Sequence, residues 1–202
     1  MNPFVPEHLQ QHLLLASASP RRREILENLG FEFEIIPTGV DEDEVPWHDP
    51  VGAAKLLAEI KAVEAQRTRP RKTIIGADTI VLCEGVRMGK PVDDEDARGM
   101  LERLSGRPHE VVTGLALVAP PNVRIIDAER TTVVFREISA WEIGKYIATG
   151  EPFDKAGAYA IQGYASAFVD RIEGCYFNVV GLPVALLMRM FKRLGSALPT
   201  TG

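Results

Sequence analysis

A carboxylate stands inside the most apolar segment of this chain. Residues 73–83 read Thr-Ile-Ile-Gly-Ala-Asp-Thr-Ile-Val-Leu-Cys, which is typical of a buried strand interrupted at residues 76–78. A buried charge is costly unless it is paired, hydrogen-bonded or bound to a metal. Asp78 is therefore a candidate general base or metal ligand, and the alternative is an Asp at a strand bulge satisfied by backbone N–H groups. The small residues Gly76 and Ala77 are expected to leave room for a ligand.

The composition restricts the classes of protein to which the chain can belong. Hydrophobic residues make up 46% of the sequence, too many for a disordered chain. The 23 Lys and Arg residues against 28 Asp and Glu residues give a net charge of −5, whereas proteins that follow a nucleic-acid backbone usually have a basic surplus. We therefore expect no nucleic-acid partner, although a local cluster of cations could still bind a small anion.

Location is predicted from what the sequence lacks. No apolar run reaches the roughly 18 residues of a membrane span, and no basic segment precedes the short apolar stretch near the N-terminus. Cys83 and Cys175 form no CxxC pair and are typical of buried thiols in a reducing compartment. We expect a cytoplasmic protein that does not bind membranes.

Strands and helices alternate early in the chain, and strands cluster later. Strands are predicted at residues 12–16, 31–35, 73–83, 86–89, 111–118, 123–137 and 167–172, and helices at 20–29, from 50 onward, 93–104, 139–150 and 182–194. In the second helix, Leu56, Leu57, Ile60 and Val63 are expected to form the apolar face. This order predicts an α/β fold with a mixed, twisted sheet flanked by helices. One domain over residues 1–202 is expected, with two lobes around a central cleft and flexible segments at 1–11 and 196–202.

A cationic helix start follows the first predicted strand. Ser19 suits an N-cap and Pro20 the first helical position, and arginines occupy residues 21–23. Cations oppose the helix dipole there, while the free N–H groups attract anions, so the pattern favours phosphate binding. Consecutive helical residues point about 100° apart, so at most two of the arginines can face one ligand. The alternative is a solvated basic face paired with Glu24 and Glu27.

Three further segments could contact a nucleotide. Lys90, between Gly89 and Pro91, could reach a phosphate or could be an exposed turn lysine. Residues 154–163 combine opposite charges, small residues, an aromatic ring and the amide of Gln162, a set that could bind a base or form an ordinary surface loop. The acidic run 41–44 could hold Mg²⁺ or be solvated.

Several of these segments recur in a fixed order that resembles the Maf family of nucleoside triphosphate pyrophosphatases, also called septum formation inhibitors. The motifs are Leu-Ala-Ser-Ala-Ser-Pro-Arg-Arg at 15–22, Gly-Ala-Asp-Thr at 76–79, Gly-Lys-Pro at 89–91, Leu-Ser-Gly at 104–106, Asp-Lys-Ala-Gly-Ala-Tyr at 154–159 and Val-Gly-Leu-Pro at 180–183. The resemblance extends from Leu14 to about Leu194. Ala18 stands where the family usually has glycine.

The resemblance implies an activity and a set of site residues. The family hydrolyses a nucleoside triphosphate between its α and β phosphates, on a fold similar to the inosine triphosphatase type, and the loop 154–163 looks like the dTTP/UTP branch. The resemblance also implies a divalent cation, Mg²⁺ or Mn²⁺, and a homodimer. It makes Asp78 the proton acceptor, ties Arg21, Thr79 and Gln162 to the choice of base, and places Ser17, Glu42, Lys61 and Lys90 among the polar residues that line the cleft.

The residues fit this chemistry, although the role of some residues and the function itself stay open. Arg21 or Arg22, with Lys61 and Lys90, would offset the charge of a triphosphate. A cation would be held by Asp78 or Glu42 together with the phosphates, so Asp78 is either base or ligand. Gln162 could hydrogen-bond a pyrimidine edge. The alternatives are a nucleotide-binding regulator of cell division without turnover, and an enzyme that prefers 7-methyl-GTP.

Overall fold

The chain is described here by a computed structural model covering residues 1–40, 45 and 49–198. The strands are β1 (Leu13–Ala16), β2 (Phe33–Ile35), β3 (Thr73–Cys83), β4 (Val86–Met88), β5 (Pro108–Ala119), β6 (Val123–Phe135) and β7 (Val169–Glu173). The helices are α1 (Glu7–Gln10), α2 (Pro20–Asn28), α3 (Pro50–Thr68), α4 (Asp94–Leu104), α5 (Ala140–Ile147), α6 (Tyr176–Val180) and α7 (Val184–Ala197). Three 3₁₀ turns, at Glu151–Asp154, Ala156–Ala158 and Tyr164–Phe168, lie between α5 and β7.

The sheet is mixed, as the sequence predicts. Its strand order is β2-β1-β3-β5-β6-β7, and β4 pairs with β3 outside that path. Strand β1 is parallel to β2 and β3, whereas β4 is antiparallel to β3 and β7 is antiparallel to β6. The α/β fold class with a mixed sheet is therefore confirmed.

The chain divides into two compact units. Unit 1 comprises Met1–Asp78, Thr113–Glu129 and Gly181–Gly202, and unit 2 comprises Thr79–Val112 and Arg130–Val180. Strands β3, β5 and β6 each contribute residues to both units. The single domain with a central cleft stays a prediction.

Helix α2 begins and ends where the sequence signals predict. Ser19 is the N-cap, and its side chain accepts a hydrogen bond from the backbone N–H of Arg22. Pro20 occupies the first helical position, where its missing N–H costs nothing. Gly30 follows the helix with φ of 76°, a conformation that favours glycine. Local capping chemistry is therefore enough to define this element.

Helix α3 packs on the sheet through alanines. Ala54, Ala58 and Ala62 are fully or almost fully buried, whereas Leu56 and Ile60 are 40% and 36% exposed. The expectation that Leu56 and Ile60 share the buried face is wrong. The reason is a close approach of helix and sheet that only small side chains permit.

Two glycines on the sheet make this approach possible. A Cβ atom added at Gly76 in β3 would lie 2.2 Å from the carbonyl oxygen of Ala58, and one added at Gly114 in β5 would lie 2.1 Å from that of Ala54. Helix backbone therefore occupies the space that a side chain would need. The expectation that Gly76 leaves room for a ligand is wrong, because α3 takes that space.

The N-terminal segment, expected to be flexible, contains helix α1 and a network of hydrogen bonds. The side chain of Asn2 is buried and donates to the carbonyl of Leu29, 2.9 Å away. Gln10 is also buried, and its amide nitrogen donates to the carbonyls of Asn2 and Val5. Across the described residues, no helix is long and apolar enough to cross a membrane.

Candidate active-site residues

Asp78 forms a buried ion pair with Lys61 in unit 1. The Nζ atom of Lys61 lies 2.6 Å from Oδ1 of Asp78, and the two residues are 8% and 4% exposed. Strand β3 is continuous through Asp78, so the predicted interruption at residues 76–78 is wrong. The bulge alternative, in which backbone N–H groups alone satisfy the carboxylate, does not describe the residue, because a lysine neutralises it.

The local fold explains how lysine and aspartate meet. Side chains alternate along a strand, so Gly76 and Asp78 face the same side of β3. Helix α3 lies against Gly76, and Lys61 is one residue before Ala62, whose Cβ would be 2.9 Å from a Cβ at Gly76. The close helix-to-sheet contact thus places Lys61 beside the carboxylate.

Arg22 is bound to the protein itself. It is 8% exposed; Nε donates to the carbonyl of Gly181 at 2.9 Å, and Nη1 donates to Ser17 Oγ at 3.0 Å and to the carbonyl of Ala77 at 2.9 Å. Its guanidinium therefore joins the β1–α2 connection, the residue before Asp78 and the segment before α7. Of the two arginines considered for phosphate binding, Arg22 has a structural task.

The other residues of this motif differ in exposure. Arg21 is partly buried, and Arg23 is exposed and pairs with Glu27 at 2.7 Å. Ser17 is buried, and its Oγ accepts from Arg22 and from the backbone N–H of Ser19 at 3.2 Å. For Arg23 the alternative of a solvated ion pair is correct.

The described side chains offer few ligands for a metal. No group of three or more His, Cys, Asp or Glu residues in the described part of the chain could hold an ion. Asp78 provides one carboxylate next to a lysine, and Glu42 lies outside the described residues. The described residues thus do not form a cage of their own. A cation held mainly by substrate phosphates needs only one or two protein carboxylates, and Asp78 fits that smaller requirement.

In unit 2, Gln162 lies between the 3₁₀ turns Ala156–Ala158 and Tyr164–Phe168. Gln162 is exposed, as is Lys90, and Thr79 is partly buried in β3. The backbone N–H of Gly157 donates to the carbonyl of Gly89 at 3.0 Å, which connects this segment to the residue before Lys90. The structure thus links two of the motifs predicted to form the site.

A buried histidine, His109, contacts Tyr159, which lies three residues before Gln162. Nε2 of His109 lies 2.8 Å from the hydroxyl of Tyr159, and both rings contact Phe135 edge-on. Burial lowers the pKa of His109 to about 4 and raises that of the Tyr159 hydroxyl, so both are neutral near pH 7. Sequence reasoning missed this pair, because no local spacing connects residues fifty positions apart.

Comparison with known proteins agrees with the motif order. Residues 12–194 match the family model described as Maf-like protein. A protein of Citrifermentans bemidjiense named dTTP/UTP pyrophosphatase is 49% identical over 185 residues, covering 91% of this chain and 96% of that one. A protein of Geotalea uraniireducens with the same name is 50% identical over 188 residues, covering 93% and 97%. The solved structure of the Staphylococcus aureus Ham1 protein aligns with a TM-score of 0.48 at 12% identity, over 90% of this chain and 98% of that one.

Proposed function

Because this chain belongs to the Maf-like family, we propose that it is a nucleoside triphosphate pyrophosphatase that hydrolyses dTTP and UTP. The observation that carries the substrate assignment is the 49% identity, over 91% of the chain, to a protein named dTTP/UTP pyrophosphatase. The products would be the nucleoside monophosphate and pyrophosphate. Modified pyrimidine nucleotides are included in the proposed substrate class.

In the proposed reaction, water attacks the α phosphorus and the bond from that phosphorus to the α–β bridging oxygen breaks. The water oxygen goes to the monophosphate, and pyrophosphate leaves with the bridging oxygen. Asp78 would accept the proton of the attacking water. Support for this role comes from its burial and from Lys61, which holds one carboxylate oxygen in a fixed position.

Cations and polar groups would then position the triphosphate and the base. Arg21 and Lys90 would offset phosphate charge. Arg22 would instead hold the protein backbone through the bonds that its Nε and Nη1 atoms donate. Thr79 and Gln162 would contact the base, and Ser17 and Glu42 would line the polar part of the site.

A divalent cation, Mg²⁺ or Mn²⁺, completes the proposal. When bound to the phosphates, it would neutralise charge that develops on the leaving pyrophosphate. Asp78 and Glu42 are the candidate protein ligands. We also propose a cytoplasmic location and a homodimer. Light scattering after size-exclusion chromatography would test the homodimer.

The decisive experiment measures both products. The chain is incubated with dTTP, UTP, CTP and 7-methyl-GTP, each with Mg²⁺ or Mn²⁺, and pyrophosphate, monophosphate and orthophosphate are quantified. Equal amounts of pyrophosphate and monophosphate from dTTP and UTP are expected. Orthophosphate as the first product would refute cleavage between the α and β phosphates, and tight binding without turnover would favour the regulator.

Asp78→Asn tests the proposed base. The variant keeps the shape of the side chain, and we expect its kcat to fall by at least about 100-fold. Asp170→Asn, an exposed position that pairs with Arg171, is the matched control and should retain full activity. Full turnover by Asp78→Asn would remove Asp78 from the role of base.

A further inference from the structure

The carboxylate of Glu151 accepts one hydrogen bond from a residue that precedes Gln162 in the chain and one from a residue that follows it. Oε1 of Glu151 accepts from the hydroxyl of Tyr146 at 3.0 Å, and Oε2 accepts from the backbone N–H of Tyr164 at 3.0 Å. Tyr146 belongs to helix α5 and is buried, while Tyr164 begins the turn after Gln162. One carboxylate therefore connects a fixed helix to the backbone two residues beyond Gln162.

Gly163 is shaped around this carboxylate. A Cβ added at Gly163 would lie 2.3 Å from both carboxylate oxygens of Glu151. The backbone angles of Gly163, φ −99° and ψ −153°, do not themselves demand glycine. A side chain at residue 163 would have to displace the carboxylate of Glu151, which occupies that space.

The same segment is held at further points. The N–H of Gly163 donates to the carbonyl of Ala160 at 3.1 Å, and Lys155 Nζ donates to the carbonyl of Glu151 at 2.6 Å. Gln162 thus lies between restrained backbone positions, while its own side chain is exposed. The restrained backbone fixes the position from which this exposed amide can reach a ligand.

A carboxylate suits this position better than an amide. Tyr146 and the Tyr164 N–H are both donors, and a carboxylate has two accepting oxygens, whereas an amide has one acceptor and one donor. Burial is the main cause that raises the pKa of the Tyr146 hydroxyl, so that hydroxyl stays a donor at all working pH values. Glutamate therefore satisfies both donors, and glutamine can satisfy only one.

We propose that Glu151 is a positioning residue, which orients Gln162 toward the base and so contributes to discrimination among pyrimidine nucleotides. The proposal rests on the proposed function and on the role there of Gln162. Glu151 itself takes no part in bond breaking. Its loss should therefore weaken substrate binding and selectivity more than it slows the chemical step.

The test compares Glu151→Ala, Gln162→Ala and the double variant, with kcat and KM measured for dTTP, UTP and CTP. For Glu151→Ala, we expect the KM for dTTP to rise about three- to tenfold, the effect of losing one or two hydrogen bonds, with kcat within about twofold of wild type. The ratio of kcat/KM for dTTP to that for CTP should fall. In the Gln162→Ala background, Glu151→Ala should change this ratio little further, because both changes remove the same contact.

Two milder variants keep the test valid if Glu151→Ala fails to fold. Tyr146→Phe removes one of the two donors, and Glu151→Gln keeps one acceptor, so each should show a smaller change in the same direction. Glu173→Gln, at an exposed glutamate whose carboxylate pairs with Arg171, is the matched control and should leave KM and selectivity unchanged.

Three results would overturn the inference: a fall in kcat with unchanged KM, additive effects in the double variant, or wild-type kinetics in all Glu151 and Tyr146 variants. Failure of the proposed function looks different, because the wild type would then release no pyrophosphate from any pyrimidine nucleotide. If it still binds dTTP, the same variants are compared by calorimetric Kd, with the same expected order. If it binds no pyrimidine nucleotide, both proposals fall.

Discussion

Lys61 and Asp78 form a buried ion pair whose Nζ–Oδ1 distance is 2.6 Å, and the glycine two residues before Asp78 makes that pair possible. At Gly76 the backbone of α3 lies where a side chain would otherwise stand. The helix comes close enough for a lysine on its edge to reach the strand. Packing and charge pairing at this point are consequences of the same small residues.

Lys61→Met should destabilise the fold strongly. The change leaves the Asp78 carboxylate buried without its cation, and breaking a buried pair costs about 3–5 kcal/mol. Urea unfolding measures the loss, and Lys192→Met, at an exposed lysine of α7, is the control, expected within about 0.5 kcal/mol of wild type. In Lys61→Met/Asp78→Asn both charges are absent, so the loss should be less than the sum of the two single changes. A loss below about 1 kcal/mol for Lys61→Met would contradict the importance of the pair.

Gly76→Ala should cost about 3 kcal/mol or more, because its methyl group meets helix backbone that cannot rotate away. The control is Gly99→Ala in α4, where an added Cβ meets nothing within 4 Å. That change should stabilise the protein by about 0.5–1 kcal/mol, since alanine favours helix. Chemical denaturation of both variants measures the change in the free energy of unfolding, which should be a loss for Gly76→Ala and a gain for Gly99→Ala. Equal changes would contradict the close contact at Gly76.

Arg22→Ala should lower the free energy of unfolding by about 3 kcal/mol or more, because two buried carbonyls and the Ser17 hydroxyl lose their donor. Arg22→Lys should recover little, since one ammonium cannot replace a planar fork that serves three acceptors. Arg23→Ala, at the exposed neighbour paired with Glu27, is the comparison and should change stability by less than about 0.5 kcal/mol. Equal losses at the two arginines would show that the Arg22 contacts contribute nothing particular.

His109 should make the fold sensitive to mild acid. Its pKa is about 4 in the folded chain, below the ordinary 6.5, so between those values the unfolded chain binds more protons. His109 therefore contributes about 3 kcal/mol to the free energy of unfolding. This contribution is fully present above pH 6.5 and is lost progressively as the pH falls toward 4. The melting temperature of wild type should drop more between pH 7 and 4.5 than that of His109→Gln, which cannot titrate. His8→Gln, at an exposed histidine, should follow wild type; identical profiles for wild type and His109→Gln would refute the effect.

Local signals predicted much of the fold. The helix start at Ser19-Pro20 and the helix predicted from residue 139 are both present. Each start depends on residues within one helical turn, and the second is a capping box formed by Ser139 and Glu142. The burial of Asp78 also follows from its apolar neighbours in sequence. Short helix α6 has too few residues for a helical period and was not predicted.

The inner face of α3 could not be predicted from hydrophobicity. Large apolar residues such as Leu56 usually point inward, and the pattern rule selects them. Here the short distance between α3 and the sheet determines which residues face inward, and Gly76 in β3 and Gly114 in β5 set that distance. The available signal was the spacing of Ala54, Ala58 and Ala62 at four-residue intervals, read together with glycine inside a strand.

The contacts around Gln162 lie further beyond sequence reasoning. Motif order places Gln162 among the candidate base contacts, but nothing in the motif indicates that Glu151 binds the backbone of Tyr164. The His109–Tyr159 contact joins residues from distant segments in the same way. Such pairings depend on tertiary packing, which local composition does not encode.

The two sides of α3 tolerate change very differently, and this separates what can be engineered from what cannot. The side with the buried alanines tolerates no larger side chain, because such a side chain would push α3 from the sheet and move Lys61 away from Asp78. The outer side, with the exposed Leu56 and Ile60, is open to polar replacement, labelling or surface attachment. A fluorophore placed there would report on the helix that carries Lys61 without entering its packed interior.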